Sequence, residues 1–391
     1  MIIFLFIVLS YAAANLHLYY KIIAVLSPEF PVNFLLGLLL LIMAVSPTLI
    51  HIYSLRGSKR SVTFWSYLVF YWLSLLVIFF PLAFMLDVYN YFILNPEYAG
   101  HLFSGAQIIS PENIFFYPLA LAFFVNLYGY YEAKQIRVEH LTLKTDKLPA
   151  GTERIRIVQI ADLHLGVIVG EKVLKKVIAM TEEAGPDLIV STGDLLDGGV
   201  KHIGHMKSML KNIKAPLGKF AVIGNHEFYG GLSSTSGYIE EVGFTLLRAE
   251  GQTIGNKLNI AGVDFIGGET ASYHRRTDQA TERDILSALP DSLYTVLLKH
   301  KTEVEGESLG LFDLQLSGHT HNGQIFPMQL AVMCIFRHHT GFKRLAKGSA
   351  IYVSRGTGTA GPPIRFLAPP EITIIDIERE LLSIPPLCRK S

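Results

Sequence analysis

Between Asp162 and His321, five short clusters carry side chains that bind divalent metals through oxygen or imidazole nitrogen. They are Asp162-Leu163-His164, Gly193-Asp194, Gly224-Asn225-His226-Glu227, His300 and Gly318-His319-Thr320-His321. None offers a thiolate. Asp162 and His164 stand two apart, so at a strand end both side chains can point the same way, and His319 and His321 repeat that spacing. An Asp-x-His and a His-x-His on adjacent strand ends can hold one ion from two sides. The Asp194 carboxylate has two oxygens and can bridge two cations, Asn225 adds a neutral carbonyl oxygen, and His300 adds another imidazole. These seven ligands suit two ions with positions left for water and substrate. Two ions about 3.5–4 Å apart stabilise the attacking and leaving oxygens of an in-line displacement at phosphorus and make hydroxide available at neutral pH.

The elements that must position these residues are legible as apolar runs. Residues 155–160, 187–191, 219–223, 294–298 and 313–317 read as buried strands, and one cluster follows each. The ligands then gather at the carboxyl ends of strands, where open α/β sheets place their sites. Residues 136–143 alternate as a half-buried strand. Helices are expected near Glu171–Ala184 and Ile203–Ile213, giving a βαβαβ alternation with parallel strands. After Gly243 the pattern turns β-rich, with runs at 244–248, 258–263, 350–354 and 371–377 and a helix near Gln279–Ala288.

The ordered set Asp-x-His, Gly-Asp-x-x-Asp-Gly, Gly-Asn-His-Glu, His, Gly-His-x-His resembles the calcineurin-like metallophosphoesterase family, most of all its membrane-associated YkuE-like branch. The resemblance covers roughly residues 153–377. It implies a four-layered αββα sandwich and two divalent ions, with manganese, iron or zinc all compatible with an Asp/His/Asn set. It further implies that Asp162, His164 and His321 bind the first metal, that Asp194 bridges, and that Asn225, His300 and His319 bind the second. His226 would meet the phosphate and assist the leaving group, with Asp197 orienting its ring. In the family the position after His300 is often Pro or His; here it is Lys301, read as solvated or as a contact to an anionic substrate.

The other candidates carry less. Glu227 reads as an exposed or helix-starting acid, and His202, His205, His274 and His338-His339 as surface or loop residues. Gly356-Thr-Gly-Thr-Ala-Gly361 lacks the Lys-Ser/Thr of a nucleotide-binding loop and reads as a Gly-rich rim. Arg355 and Arg365 beside it are candidate phosphate contacts. Cys334 and Cys388 are the two cysteines, far apart and outside any ligand spacing. A net charge of +1 gives no basic stripe for nucleic acid.

The chain changes character near residue 131. Up to Tyr131 it holds only Lys21, Arg56, Lys59 and Arg60 against Glu29, Asp87, Glu97 and Glu112, whereas the rest has an ordinary soluble composition. Residues 1–131 are therefore read as a membrane anchor of about four transmembrane helices, at about 2–20, 32–53, 62–86 and 114–131, and residues 132–391 as the phosphoesterase domain. Basic residues at 56–60 and after residue 131 place the catalytic half on the cytoplasmic side of a multi-pass protein of the inner or cytoplasmic membrane. Its expected substrate is a phosphoester or pyrophosphate. An anchored site favours a lipid-linked one, with residues 326–342 as a candidate apolar wall for acyl chains. A soluble nucleotide, or a non-catalytic scaffold or sensor, is the alternative.

Overall fold

The computed structural model describes residues 2–54, 57–95, 97, 106–265 and 280–380, with the backbone alone at 2–7 and 51. It divides into two compact units. The first comprises residues 1–135, 323–331 and 361–368, and the second comprises residues 136–322, 332–360 and 369–391.

Four helices fill the N-terminal part of the first unit: α1 (Ile2–Leu26), α2 (Phe30–Ser54), α3 (Lys59–Leu94) and α4 (Pro111–Glu132). They cover the four apolar runs. Among the described residues, Phe30–Ile50 and the whole of α3 and of α4 are long and apolar enough to cross a membrane. Ser58 and Ser110 start α3 and α4 by accepting from the backbone N–H three residues on, and Pro111 at the first helical position needs no partner for an N–H it lacks. At 36 residues α3 is about 54 Å long, well beyond a hydrocarbon core of about 30 Å. Several polar side chains in this unit pair with one another. Trp72 Nε1–H donates to Asn15 Oδ1 at 3.0 Å, and the Ser74 hydroxyl donates to Asn126 Oδ1. Lys21 pairs with Asp87, whose other oxygen lies 3.5 Å from His17 Nε2, so His17 belongs to an α1–α3 polar contact.

The second unit is built on two six-stranded mixed sheets. The first contains β1 (Arg137–Thr145), β2 (Arg154–Ile160), β3 (Leu188–Ser191), β4 (Lys219–Ala221), β5 (Thr245–Leu246) and β12 (Glu371–Arg379), in the order β1-β12-β2-β3-β4-β5. The second contains β6 (Glu250–Ile254), β7 (Leu258–Val263), β8 (Thr295–Lys299), β9 (Leu314–Ser317), β10 (Gly341–Arg344) and β11 (Ala350–Val353), in the order β10-β11-β9-β8-β7-β6. Strands β2 to β5 run parallel, as do β7, β8, β9 and β11. Ile155, Ile157, Leu188 and Val190 of one sheet share a buried core with Ile260, Val296, Leu298 and Leu316 of the other. The outer faces are covered by α5 (Glu171–Ala184), which buries Leu174 and Val177, and by α9 (Glu282–Ser287), whose Ile285 and Leu286 pack with Ala261 and Val263. Both faces of the central strands are thereby dry, which is why they read as unbroken apolar runs. The expected αββα layering is present.

The remaining helices are α6 (Lys207–Asn212), α7 (Asn225–Tyr229), α8 (Leu232–Glu241) and α10 (Met328–Ile335). The expected helix at Ile203–Ile213 is two 3₁₀ turns followed by the short α6, with Gly204 at the break. The strand expected at 244–248 keeps only two residues of ladder, Thr245–Leu246, at one edge of its sheet.

Candidate metal centre

All five clusters lie just past the carboxyl ends of strands, and the strands belong to both sheets. Asp162 and His164 follow β2, Asp194 follows β3 and Asn225 follows β4, whereas His300 follows β8 and His319 and His321 follow β9. The loops are laced together by their backbones. Asp162 N–H donates to Gly193 O at 3.2 Å, His164 N–H to Asp194 O at 2.9 Å, and Gly318 N–H to His300 O at 3.1 Å. Asp162, His164, Asp194, His319 and His321 adopt φ between 47° and 73°. A left-handed backbone costs a non-glycine residue about 1–2 kcal/mol, so five such residues in one place are held by their surroundings. Two glycines make room for the carboxylates: a Cβ at Gly224 would enter the Asp194 carboxylate, and one at Gly318 the Asp162 carboxylate. That explains why Gly precedes Asn225 and His319.

The side chains converge in two groups, Asp162–His164–His321 and Asp194–His300–His319, joined by a third, His164–Asp194–His226, that shares a residue with each. In the first, His164 Nε2 and His321 Nε2 face each other at 3.0 Å, with Asp162 Oδ1 3.7 Å from His321 Nε2. In the second, His300 Nδ1–H donates to Thr192 O at 2.8 Å, which fixes the ring. His300 Nε2 then faces Asn225 Oδ1 at 3.1 Å, His319 Nδ1 at 3.1 Å and Asp194 Oδ2 at 3.3 Å. Asp194 Oδ2 also lies 3.8 Å from His164 Nε2, so it stands between the two groups. Ring nitrogens and carboxylate oxygens aimed at one another without enough protons call for a cation. The mixed imidazole, carboxylate and amide donor set fits two divalent metal ions.

Burial disfavours the His300 imidazolium, but Asp194 and Asp162 outweigh it and raise His300 to about 9. A proton therefore takes the cation's place when no metal is bound. His319 goes the other way: burial and the charge on His300 lower it to about 3, leaving a neutral ring ready to ligate. Asp194 stays well below the usual carboxylate range, because His300 and His226 overcome its burial. Burial, in part offset by His300, raises Asp162.

His226 lies beside the two groups. Its Nδ1 is 3.1 Å from Asp197 Oδ1, its backbone N–H donates to Asp194 Oδ1 at 2.8 Å, and its ring meets that of His164 edge-on. Its side chain is 26 % exposed, whereas those of Asp162, His164 and His300 are enclosed. Burial pulls its pKa down, but Asp194 and Asp197 prevail and hold it at about 9. Asp197 also lies 3.4 Å from His164 Nδ1, so one carboxylate steadies a candidate ligand and the candidate acid together.

Glu227 departs from expectation. It stands in the first turn of α7, as a helix-starting acid would, but it is fully buried rather than exposed. Its Oε2 accepts from Asp194 N–H at 3.0 Å and Gly224 N–H at 2.8 Å, and its Oε1 from Leu196 N–H at 3.0 Å. It thus joins the loop carrying Asp194 to the turn carrying Asn225. The sequence signal was its place in Gly-Asn-His-Glu.

The candidate phosphate contacts have other partners. Arg355 is ion-paired to Glu139 and to Glu371, the latter at 2.6 Å, and Arg365 is fully buried with its guanidinium on Ala368 O. The Gly-rich segment spends N–H groups on its neighbours, Thr357 on Ala161 O at 2.7 Å and Gly358 on Asp162 O at 3.0 Å. Lys301 lies 4.9 Å over the Phe265 ring, which itself meets His300 and His319. His274 lies outside the described residues.

A two-sheet α/β sandwich with Asp/His/Asn clusters at its strand ends is the architecture of a metal-dependent phosphoesterase. Residues 155–323 match the family model described as calcineurin-like phosphoesterase. The chain is 41 % identical over 259 residues to a metallophosphoesterase of Aquifex aeolicus, covering 66 % of this chain and 98 % of that one. It is 33 % identical over 260 residues to the metallophosphoesterase YkuE of Bacillus subtilis, covering 64 % and 88 %. A Danio rerio transmembrane protein with metallophosphoesterase domain is 27 % identical over 65 % of this chain and 60 % of its own. The chain belongs to the calcineurin-like metallophosphoesterase family.

Proposed function

We propose that this chain is a membrane-anchored, dinuclear-metal hydrolase of phosphoesters or pyrophosphates. The observation that carries the reading is the convergence of Asp162, His164, Asp194, Asn225, His300, His319 and His321, in which Asp194 Oδ2 stands between His164 and His300. In this reading Asp162, His164 and His321 hold one ion, Asn225, His300 and His319 hold the other, and Asp194 serves both. Bound there, two divalent cations polarise phosphoryl oxygens and acidify water. The chain's own residues do the rest. His226 presents a ring proton to the departing oxygen, and Asp197 fixes the ring and keeps it charged. Thr192 and Glu227 hold His300, Asp194 and Asn225 in register through the backbone contacts described above.

The apolar helices of the first unit support a multi-pass anchor, and the basic residues after α4 support a cytoplasmic catalytic unit. An anchored site favours a lipid-linked phosphoester or pyrophosphate over a soluble nucleotide. Purified full-length protein, stripped with chelator and reloaded with manganese, iron or zinc, tests this on an aryl phosphate, a nucleotide and a lipid pyrophosphate in mixed micelles. Metal-dependent hydrolysis with the lipid substrate preferred is the expected result. Equal turnover after stripping sinks the metal assignment, and preference for the nucleotide sinks the lipid one. Because His300 is held by a proton near 9 when metal is absent, metal affinity should rise with pH up to about 9, as competition from that proton ends.

A further inference from the structure

Helix α10 is apolar in an unusual way. Its sequence is MQLAVMCI, and none of its residues is buried. Met328, Leu330, Met333 and Ile335 are 45–70 % exposed, and Phe326 and Leu367 beside its start add further apolar surface. No Lys, Arg, Asp or Glu occurs from Asn322 to Phe336. Exposed contiguous apolar surface of this kind on a folded chain marks an interaction site.

What covers it is indicated by where the neighbouring segments attach. Residues 323–331, which include the first half of α10 (Met328–Ala331), and residues 361–368 belong to the same compact unit as α1 to α4. Ile325 and Ile364 enter the apolar core of those helices. Arg365 N–H donates to Gly129 O at 3.0 Å, Leu367 N–H donates to Glu132 Oε2 at 2.9 Å, and the Phe366 ring meets Tyr128 edge-on. Phe326 N–H donates in turn to Phe366 O at 3.1 Å. The contacts of residues 365–367 are to the last turns of α4, where Tyr128, Tyr130 and Tyr131, with Lys134 just beyond, form the aromatic and basic end that a membrane helix places at the lipid–water boundary. With the first unit read as membrane-spanning, that end of α4 brings the start of α10 to the lipid–water boundary. The chain after α10 carries exposed Arg337, Lys343, Arg344 and Lys347, and no Asp or Glu occurs from Leu314 to Pro370. An apolar helix followed by bases without acids matches an anionic lipid surface.

We propose that α10, with Phe326 and Leu367, lies in the boundary layer of an anionic bilayer, its side chains among the acyl chains and the following bases at the headgroups. This rests on the reading of the first unit as membrane-spanning. It deepens the substrate reading as well: α10 ends one residue before Phe336, whose ring meets that of His319 edge-on at 5.8 Å. A lipid-borne phosphoester is the substrate class such a surface favours.

Cys334 lies exposed on α10 and is a natural reporter. Full-length protein with Cys388→Ser is labelled there with bimane and reconstituted in vesicles of phosphatidylcholine and phosphatidylglycerol carrying shallow-brominated chains. Two controls in a Cys334→Ser, Cys388→Ser background carry the label at Leu39→Cys, within α2, and at Lys175→Cys, on α5. Emission at Cys334 should fall about twofold with brominated lipid, as expected for a site 5–10 Å into the boundary, and should resist aqueous iodide compared with position 175. Iodide quenching equal to that at position 175, with no effect of brominated lipid, overturns the proposal. So does protection that vanishes when residues 381–391 are removed, since the chain's own tail then covers the helix. Quenching that is undiminished in vesicles of phosphatidylcholine alone overturns the headgroup part. If the label at position 39 also escapes brominated lipid, the spanning reading has failed first; if it alone is quenched, only the α10 proposal has.

Discussion

The two units bury polar groups to opposite ends. In the helical unit the polar side chains paired above meet complementary ones: Asn15 meets Trp72, Ser74 meets Asn126, and Lys21 meets Asp87. In the two-sheet unit the buried groups after β2, β3, β8 and β9 meet groups of the same kind, imidazole nitrogens and carboxylate oxygens facing one another, most of them on a left-handed backbone. Complementary pairing satisfies groups in place and asks for nothing further. Convergence of acceptors leaves a deficit of positive charge that a ligand must fill. Burial of polar residues alone therefore does not mark a site; the sign of what they face does.

The largest expected effect comes from removing the residue that stands between the two groups. Asp194→Ala should lower kcat/KM by at least about 10³-fold, which is about 4 kcal/mol, and should release metal, as read by hydrolysis and by metal content of the folded protein. Wild-type turnover with full metal content would show that the convergence is not the working centre. Next is the pair that flanks it. His226→Ala should cost about 10²-fold, in the range of a lost general acid, with metal content kept. His226 is held at about 9, so its charged form persists through neutral pH and is lost as pH rises through that value. Asp197→Asn removes a carboxylate that raises it, so the alkaline fall of kcat should move to lower pH. An unmoved limb would detach Asp197 from His226.

The gathering of Asp162, His164, Asp194, Asn225, His300, His319 and His321 could be read from sequence because ligand chemistry follows strand ends, and buried parallel strands announce themselves as apolar runs; the places of His226 and Asp197 beside them came only from the family resemblance. The layered sheets were legible for the same reason, and the helix expected near Glu171–Ala184 spans those residues, ending on the left-handed Gly185. What escaped depended on partners distant in the chain. Glu227 looks like any first-turn acid until its three backbone donors are seen. Arg355 looks like a phosphate ligand until Glu139 and Glu371 enclose it. The exposure of α10 could not be told from burial by composition, since a core helix and a lipid-facing one use the same residues.

Glu227 sharpens the comparison, because it is a buried carboxylate in the two-sheet unit that is satisfied in place. Glu227→Gln keeps its shape but turns an amide nitrogen toward a backbone N–H. One buried donor then goes unmet, a loss of about 1–3 kcal/mol. Melting of the metal-free protein should show it, together with weaker metal retention through the displaced Asp194 and Asn225 loops. Unchanged melting and retention would reduce Glu227 to a helix-starting residue.

The smallest effect is expected where complementarity is complete. Ser74→Ala removes the hydroxyl that donates to Asn126 Oδ1, between α3 and α4. Asn126 retains its Nδ2–H bond to Ala122 O at 2.8 Å, so the orphan is one acceptor oxygen. Interhelical hydrogen bonds in membranes are worth about 0.6 kcal/mol on average and about 1.7 at most, because a helix pair pulled apart in lipid finds other partners. Denaturation in detergent should register a loss of that size, with hydrolysis of a soluble aryl phosphate untouched. A fall in hydrolysis beyond about twofold would break the comparison, since it would mean that a paired polar group in the helical unit is tied to the chemistry after all.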